Sequence, residues 1–197
     1  MTAFRLGLTG SIGMGKSTTA QFFADEGIPV WDADSAVHRL YAPGGAAVAP
    51  ISEICPQALQ EGGISRAALK QWISRETSAL SRIEAVVHPL VASDRAEFLA
   101  SAKSDLVLLD IPLLFETGAD AQMDASLLVT APRVLQRARV MARPGMTEQL
   151  FATLLAKQMP DRQKRERATH VVETLDLASV QAYVRALISY IRKAKDA

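Results

Sequence analysis

Gly10-Ser11-Ile12-Gly13-Met14-Gly15-Lys16-Ser17 follows the pattern G-x-x-x-x-G-K-[ST], the spacing of a phosphate-binding loop. Glycines let backbone N–H groups close on a polyphosphate, because no Cβ blocks the approach. The helix that follows turns its positive dipole end toward the same anion, so amides as far as Thr18 join the cradle. Lys16 would neutralise the β- and γ-phosphates, and the Ser17 hydroxyl would hold Mg²⁺. These residues imply that the chain binds a nucleoside triphosphate.

Other residues could act on such a ligand. Asp32-Ala33-Asp34 ends an apolar run, where an open α/β sheet presents its ligand-facing side chains. Read as extended chain, both carboxylates share a face. One would take the proton of an attacking hydroxyl and the other would act through Mg²⁺-bound water. Asp34 is read as the base and Asp32 as the metal partner; Asp34 could instead cap a helix starting at Ser35. Asp110, closing the run Leu106–Leu109, fits either a second Mg²⁺ contact or a buried strand end that turns polar. Glu116 could equally be an ordinary acid in the first turn of a helix.

Residues 133–167 hold nine basic and three acidic residues, a net +6. With +1 overall, the rest of the chain is −5. So local a patch suits a compact anion better than a long nucleic acid. Arg137 and Arg143, ahead of the break at Pro144-Gly145, fit a lid that closes over a triphosphate.

Those side chains need a frame. Short branched runs at Phe4–Leu8, Ile28–Trp31, Leu106–Leu109, Ala125–Val129 and His170–Val172 read as parallel strands covered on both faces. Helical spacing fills Ser17–Asp25, Ser35–Tyr41, Pro89–Ala102, Pro132–Met141, Thr147–Lys157 and Leu177–Lys195. The alternation predicts an α/β fold with a five-stranded parallel sheet and right-handed crossovers. Residues 43–88, with their Pro and Gly breaks and the helix-like pieces Ala67–Ser74 and Glu76–Val87, read as an inserted helical lobe. His88-Pro89 reads as a helix entry, because proline pushes the preceding residue out of helical geometry. Asp176 is placed to cap the last helix, and Trp31, Trp72 and Cys55 read as packing residues.

Composition narrows the class. Hydrophobic content of 49% and charged content of 22% are those of a soluble globular chain, one domain of 197 residues. No apolar run approaches a membrane span and no signal peptide is visible, so the expected address is cytoplasmic, with no membrane partner. One cysteine excludes an internal disulfide. A GTP-driven switch would present Asn-Lys-x-Asp or Thr-Lys-x-Asp, and the chain contains no asparagine; Ala102-Lys103-Ser104-Asp105 lacks the leading residue. A nucleic-acid-dependent ATPase would be repelled by the −5 remainder. A kinase of another small alcohol, with the same architecture, remains a rival.

The motifs taken together resemble the dephospho-coenzyme A kinase family. They are Gly7-Leu8-Thr9-Gly10 running into the loop, Asp32-Ala33-Asp34, His88-Pro89, Pro112-Leu113-Leu114-Phe115-Glu116, Gln136-Arg137-Ala138-Arg139 through Arg143, and Gln158-Met159-Pro160 with Lys164-Arg165. The resemblance implies a three-layer P-loop kinase fold with a helical substrate lobe at 43–88 and a basic lid at 133–167. It implies transfer of the γ-phosphoryl of ATP to the ribose 3′-hydroxyl of dephospho-coenzyme A, with Mg²⁺. It puts the base on Asp34, phosphate grip on Arg137 and Arg143, and substrate contacts on Asp34, His88 and Leu114. ATP and dephospho-coenzyme A are the implied partners, nucleic acid is not, and a monomer or weak homo-oligomer is expected. One stretch departs. The family commonly reads Ala-Asp-x-Val-Ile-x-Asn-x-Gly where this chain has Ala168 to Asp176, without the Asp, the Asn or the Gly, so adenine contacts assigned there are not carried over. The second loop glycine of the family is Ser11 here, tolerable at ordinary φ.

Overall fold

The computed structural model describes residues 3–195. In chain order the elements are β1 (Phe4–Thr9), α1 (Lys16–Asp25), β2 (Val30–Asp32), α2 (Ala33–Tyr41), α3 (Val48–Ile54), β3 (Leu59–Gln60), β4 (Gly63–Ile64), α4 (Arg66–Arg75) and α5 (Ala79–Ser101). There follow β5 (Leu106–Asp110), β6 (Ala125–Thr130), α6 (Arg133–Met141), α7 (Glu148–Ala156), α8 (Asp161–Arg167), β7 (His170–Glu173) and α9 (Leu177–Lys195). They gather into two compact units: the chain up to Trp31 with the chain from Ala102 on, and Asp32–Ser101. The inserted segment read from sequence, 43–88, lies within the second.

The first unit is built on the parallel sheet, in the order β2-β5-β1-β6-β7. β1 lies between β5 and β6, with Leu6 opposite both Leu108 and Ala125. Central strands of a parallel sheet must be apolar on both faces, and β5 and β6 are buried at every residue. Phe23 of α1 and Val184 of α9 pack into the same core with Leu6, Leu8 and Leu127. Each expected strand is present, ending one residue later than its apolar run, at Thr9, Asp32, Asp110, Thr130 and Glu173. Asp176 Oδ1 accepts from Ser179 N at 2.8 Å, the expected cap of α9.

The second unit has its own core, in which Ile51, Cys55, Ala58, Leu69, Trp72, Ala79 and Ile83 are buried. Trp72 packs there, its indole N–H donating to Glu76 Oε2 at 2.6 Å and Arg82 lying 4.9 Å from its ring. β3 and β4 form a hairpin over the two residues Glu61-Gly62, both at positive φ (51° and 79°), the geometry of a type I′ turn.

Two sequence expectations fail in this unit. His88-Pro89 is not a helix entry: α5 runs unbroken from Ala79 to Ser101 with Pro89 inside it. The proline forfeits one backbone bond there, and the helix is long enough, and packed both before it at Ala79, Ile83 and Val87 and after it at Leu90 and Val91, to continue past it. Nor are Asp32 and Asp34 two residues of one extended strand. α2 starts at Ala33, so Asp34 is already in its first turn. The cap is Asp32 rather than Asp34, its Oδ1 accepting from Ser35 N at 2.6 Å. A carboxylate that can satisfy a first-turn amide starts the helix as soon as the strand ends.

No helix among the described residues is long and apolar enough to cross a membrane.

Candidate active site

The phosphate loop joins β1 to α1 in the first unit. Gly13 and Gly15 take φ of 78° and 89°, which a side chain would strain. Close packing adds a second reason: a Cβ on Gly13 would come 2.5 Å from Val140 Cγ2, and one on Gly15 would press on Thr174. Ser11 keeps an ordinary φ, so the missing glycine costs nothing. Gly15 stands at the N-cap of α1 and no side chain caps that helix. Its first-turn amides are therefore left for an anion. The Met14 side chain is buried, its Sδ accepting from Ala131 N at 3.0 Å, and its backbone is also taken within the protein, the N–H donating to Ser11 O at 3.1 Å and the carbonyl accepting from Thr174 Oγ1 at 2.9 Å. Lys16 is ion-paired with Asp110, which is 2% exposed at the end of β5. Asp110 is thus both a buried strand end and the counter-ion of the loop lysine. Ser17 and Thr18 are exposed at the start of α1.

The donor set suits a hard divalent cation held mainly by phosphate and water. Ser17 and Asp110 supply oxygen, and among the described residues no group of three or more His, Cys, Asp or Glu could hold a metal alone.

Residues 133–167 contact the loop at Ile12 and Gly13. Gln136 Nε2 donates to Ile12 O at 2.8 Å and Ile12 N donates to Gln158 Oε1 at 3.2 Å. Arg137, exposed on α6, pairs with the exposed Glu148 of α7, and Arg143 is exposed beyond the helix. A cavity of about 610 Å³ lies here, with Ser11, Met14, Arg133, Gln136, Gln158 and Asp161 among its lining. Lys164 of α8 is fully buried, 2.9 Å from Glu116 Oε1, which also accepts from Met159 N at 2.8 Å. Burial pushes the Glu116 carboxyl up, but the Lys164 and Met159 donors outweigh it and hold the group below the usual carboxylate range.

The family model for dephospho-CoA kinase matches residues 4–177. The chain belongs to the dephospho-coenzyme A kinase family. A curated dephospho-CoA kinase of Cereibacter sphaeroides is 66% identical over 197 residues, all of both chains. The crystal structure of TT1252 from Thermus thermophilus superposes with a TM-score of 0.85 at 34% identity, covering 98% of each chain. A dephospho-CoA kinase from Campylobacter jejuni shares the fold at a TM-score of 0.66 and 19% identity, covering 95% of this chain and 96% of that one.

The three departures within 168–176 all have structural work here. Thr169 Oγ1 accepts from Ser126 N at 3.1 Å. Thr174, 5% exposed, donates through Oγ1 to Met14 O at 2.9 Å and accepts from Arg139 Nη1 at 2.8 Å. Asp176 caps α9. The stretch thereby holds the phosphate loop from behind, at Met14 and Gly15.

Within the first unit the structure gathers Gly10 through Thr18 with Asp110, Gln136, Gln158 and Thr174. Leu114 is fully buried, its Cδ2 lying 3.0 Å from where a Cβ on Gly7 would be. In the second unit Asp34 and His88 are exposed, Asp34 on α2 and His88 inside α5. Sequence reasoning gave Gln136 and Gln158 no role beyond the motif they carry. It also left Lys164 in a charge run, where solvent is the ordinary expectation.

Proposed function

We propose that this chain transfers the γ-phosphoryl group of ATP to the ribose 3′-hydroxyl of dephospho-coenzyme A, giving coenzyme A and ADP. The observation that carries this reading is the 66% identity to a dephospho-CoA kinase over the whole chain, including a phosphate loop already folded as an anion cradle.

The loop amides between Gly10 and Thr18, other than those of Ile12 and Met14, which bond to Gln158 and Ser11, take the phosphate oxygens, and Lys16 turns its charge on the β- and γ-phosphates. In the structure that charge is paired with Asp110, which supports a lysine kept within the loop rather than turned to solvent. Phosphoryl transfer through a loose transition state gains chiefly from positioned positive charge, and one supplied arginine is worth on the order of 10³–10⁵ in rate. Arg137 and Arg143 are assigned to that grip. Trading Glu148 for phosphate costs Arg137 little, since an exposed ion pair contributes about 0–1 kcal/mol. Asp34 accepts the proton of the 3′-hydroxyl and His88 is assigned to the acceptor, whereas Leu114, fully buried against Gly7, packs under the site rather than touching a ligand. Asp32 has given one carboxylate oxygen to Ser35 and keeps the other; with the Ser17 hydroxyl it is assigned to Mg²⁺, which shields phosphate charge when bound.

A panel of acceptors tests the reading. Dephospho-coenzyme A should exceed shikimate, sugars and nucleoside monophosphates in kcat/KM by orders of magnitude. A strong preference for any other acceptor would overturn the assignment.

A further inference from the structure

Both polar atoms of the Ile12 peptide are spent on side chains of the basic segment. The carbonyl accepts from Gln136 Nε2 at 2.8 Å, and the N–H donates to Gln158 Oε1 at 3.2 Å. Gln136 is 4% exposed, so its amide has little recourse to water. Each glutamine is itself tied down. Gln136 lies on α6, whose Val140 and Gln136 carbonyl abut Gly13. Gln158 precedes Met159, whose N–H is held by Glu116, and Glu116 is paired with buried Lys164. The middle of the phosphate loop is thus gripped on its two polar sides by groups with fixed places of their own.

We propose that Gln136 and Gln158 are positioning residues that set the curvature of the phosphate loop before the nucleotide arrives. The proposal rests on the reading that this loop holds a nucleoside triphosphate. A loop already shaped loses less conformational freedom on binding, and the gain is the same for bound substrate and transition state. Loss of the grip therefore raises the Kd and KM for ATP and leaves kcat nearly as it was.

The grip has a polarity that ordinary packing would not have. Position 158 must accept and position 136 must donate. Glutamate accepts and does not donate, so it can serve at 158 but turns a carboxylate on a carbonyl at 136.

The test combines hydrogen exchange at the Ile12 amide of nucleotide-free protein with calorimetric ATP affinity and steady-state kinetics. In Q158M the Ile12 amide should lose protection and the ATP KM should rise about tenfold, the upper scale of one net hydrogen bond, with kcat within about twofold. Q158E should keep the Ile12 protection, and Q136E should weaken ATP binding at least as much as Q158M. Unchanged Ile12 exchange and ATP affinity in Q158M would overturn the proposal, as would loss of protection in Q158E equal to that in Q158M. So would a fall in kcat with KM unmoved. Exchange and ATP affinity do not involve the acceptor. A chain that shows the Q158M and Q158E pattern but fails to phosphorylate dephospho-coenzyme A would remove the proposed function and leave the grip standing.

Discussion

Lys164 Nζ lies 2.9 Å from Glu116 Oε1 with none of the lysine side chain exposed. A buried pair is a weak reason for stability as such, but removing one partner strands the other's charge. Lys164→Met should therefore cost about 3–5 kcal/mol in denaturant unfolding, the scale of an uncompensated buried charge. The double variant with Glu116→Gln should recover much of that loss. A Lys164→Met protein within 1 kcal/mol of the parent would contradict the pairing, about a tenth of a typical folding free energy.

The same pair sets an acid limb. Glu116 has its carboxyl held below the ordinary 4.5, so across that window the unfolded chain binds more protons than the folded one. Its contribution is complete above about pH 4.5 and is lost as pH falls through the lowered folded value. Unfolding free energies measured from pH 6 to 3 should fall less steeply in Glu116→Gln. Parallel curves for the two proteins would remove Glu116 from that role.

Thr174 holds the loop through Met14 O at 2.9 Å and anchors Arg139 at 2.8 Å. Thr174→Val keeps the shape and deletes the hydroxyl, leaving the half-buried Arg139 guanidinium and the Met14 carbonyl short of a partner. The expected loss is about 1–3 kcal/mol, with the ATP KM raised. Thr174→Ser should restore both, and equal behaviour of the Val and Ser variants would show that the hydroxyl is idle.

Much of this was legible in the residues, for reasons that differ by element. The parallel strands declared themselves because β5 and β6, covered on both faces, are buried throughout and apolar except at Asp110, Ser126 and Thr130. The phosphate loop did so because its glycines answer a steric demand, at Gly13 and Gly15 above all. α8 stayed hidden: Asp161–Arg167 is almost entirely charged, and the burial of Lys164 depends on Glu116, far away in sequence. Pro89 misled because local preference ends a helix there, while burial of Ala79, Ile83 and Val87 before it and the packing of Leu90 and Val91 after it carry α5 through. The grip on Ile12 was invisible too, since glutamine side chains carry no periodicity.

Asp34 follows the cap residue Asp32 by two positions, in the first turn of α2. With Asp34 as the base, Asp34→Asn should lower kcat on the order of 10²-fold or more while ATP affinity stays nearly unchanged. Steady-state kinetics with calorimetric ATP titration read both quantities. Near-normal turnover would take the proton-accepting role away from Asp34.

The most direct measurement is mass spectrometry, with ³¹P NMR, of dephospho-coenzyme A incubated with ATP, Mg²⁺ and the protein. The account predicts a product heavier by one phosphoryl group, with the new phosphate on the ribose 3′-oxygen and ADP formed in equal amount. An unchanged acceptor alongside full activity toward another alcohol, or a phosphate at a different position, would contradict it.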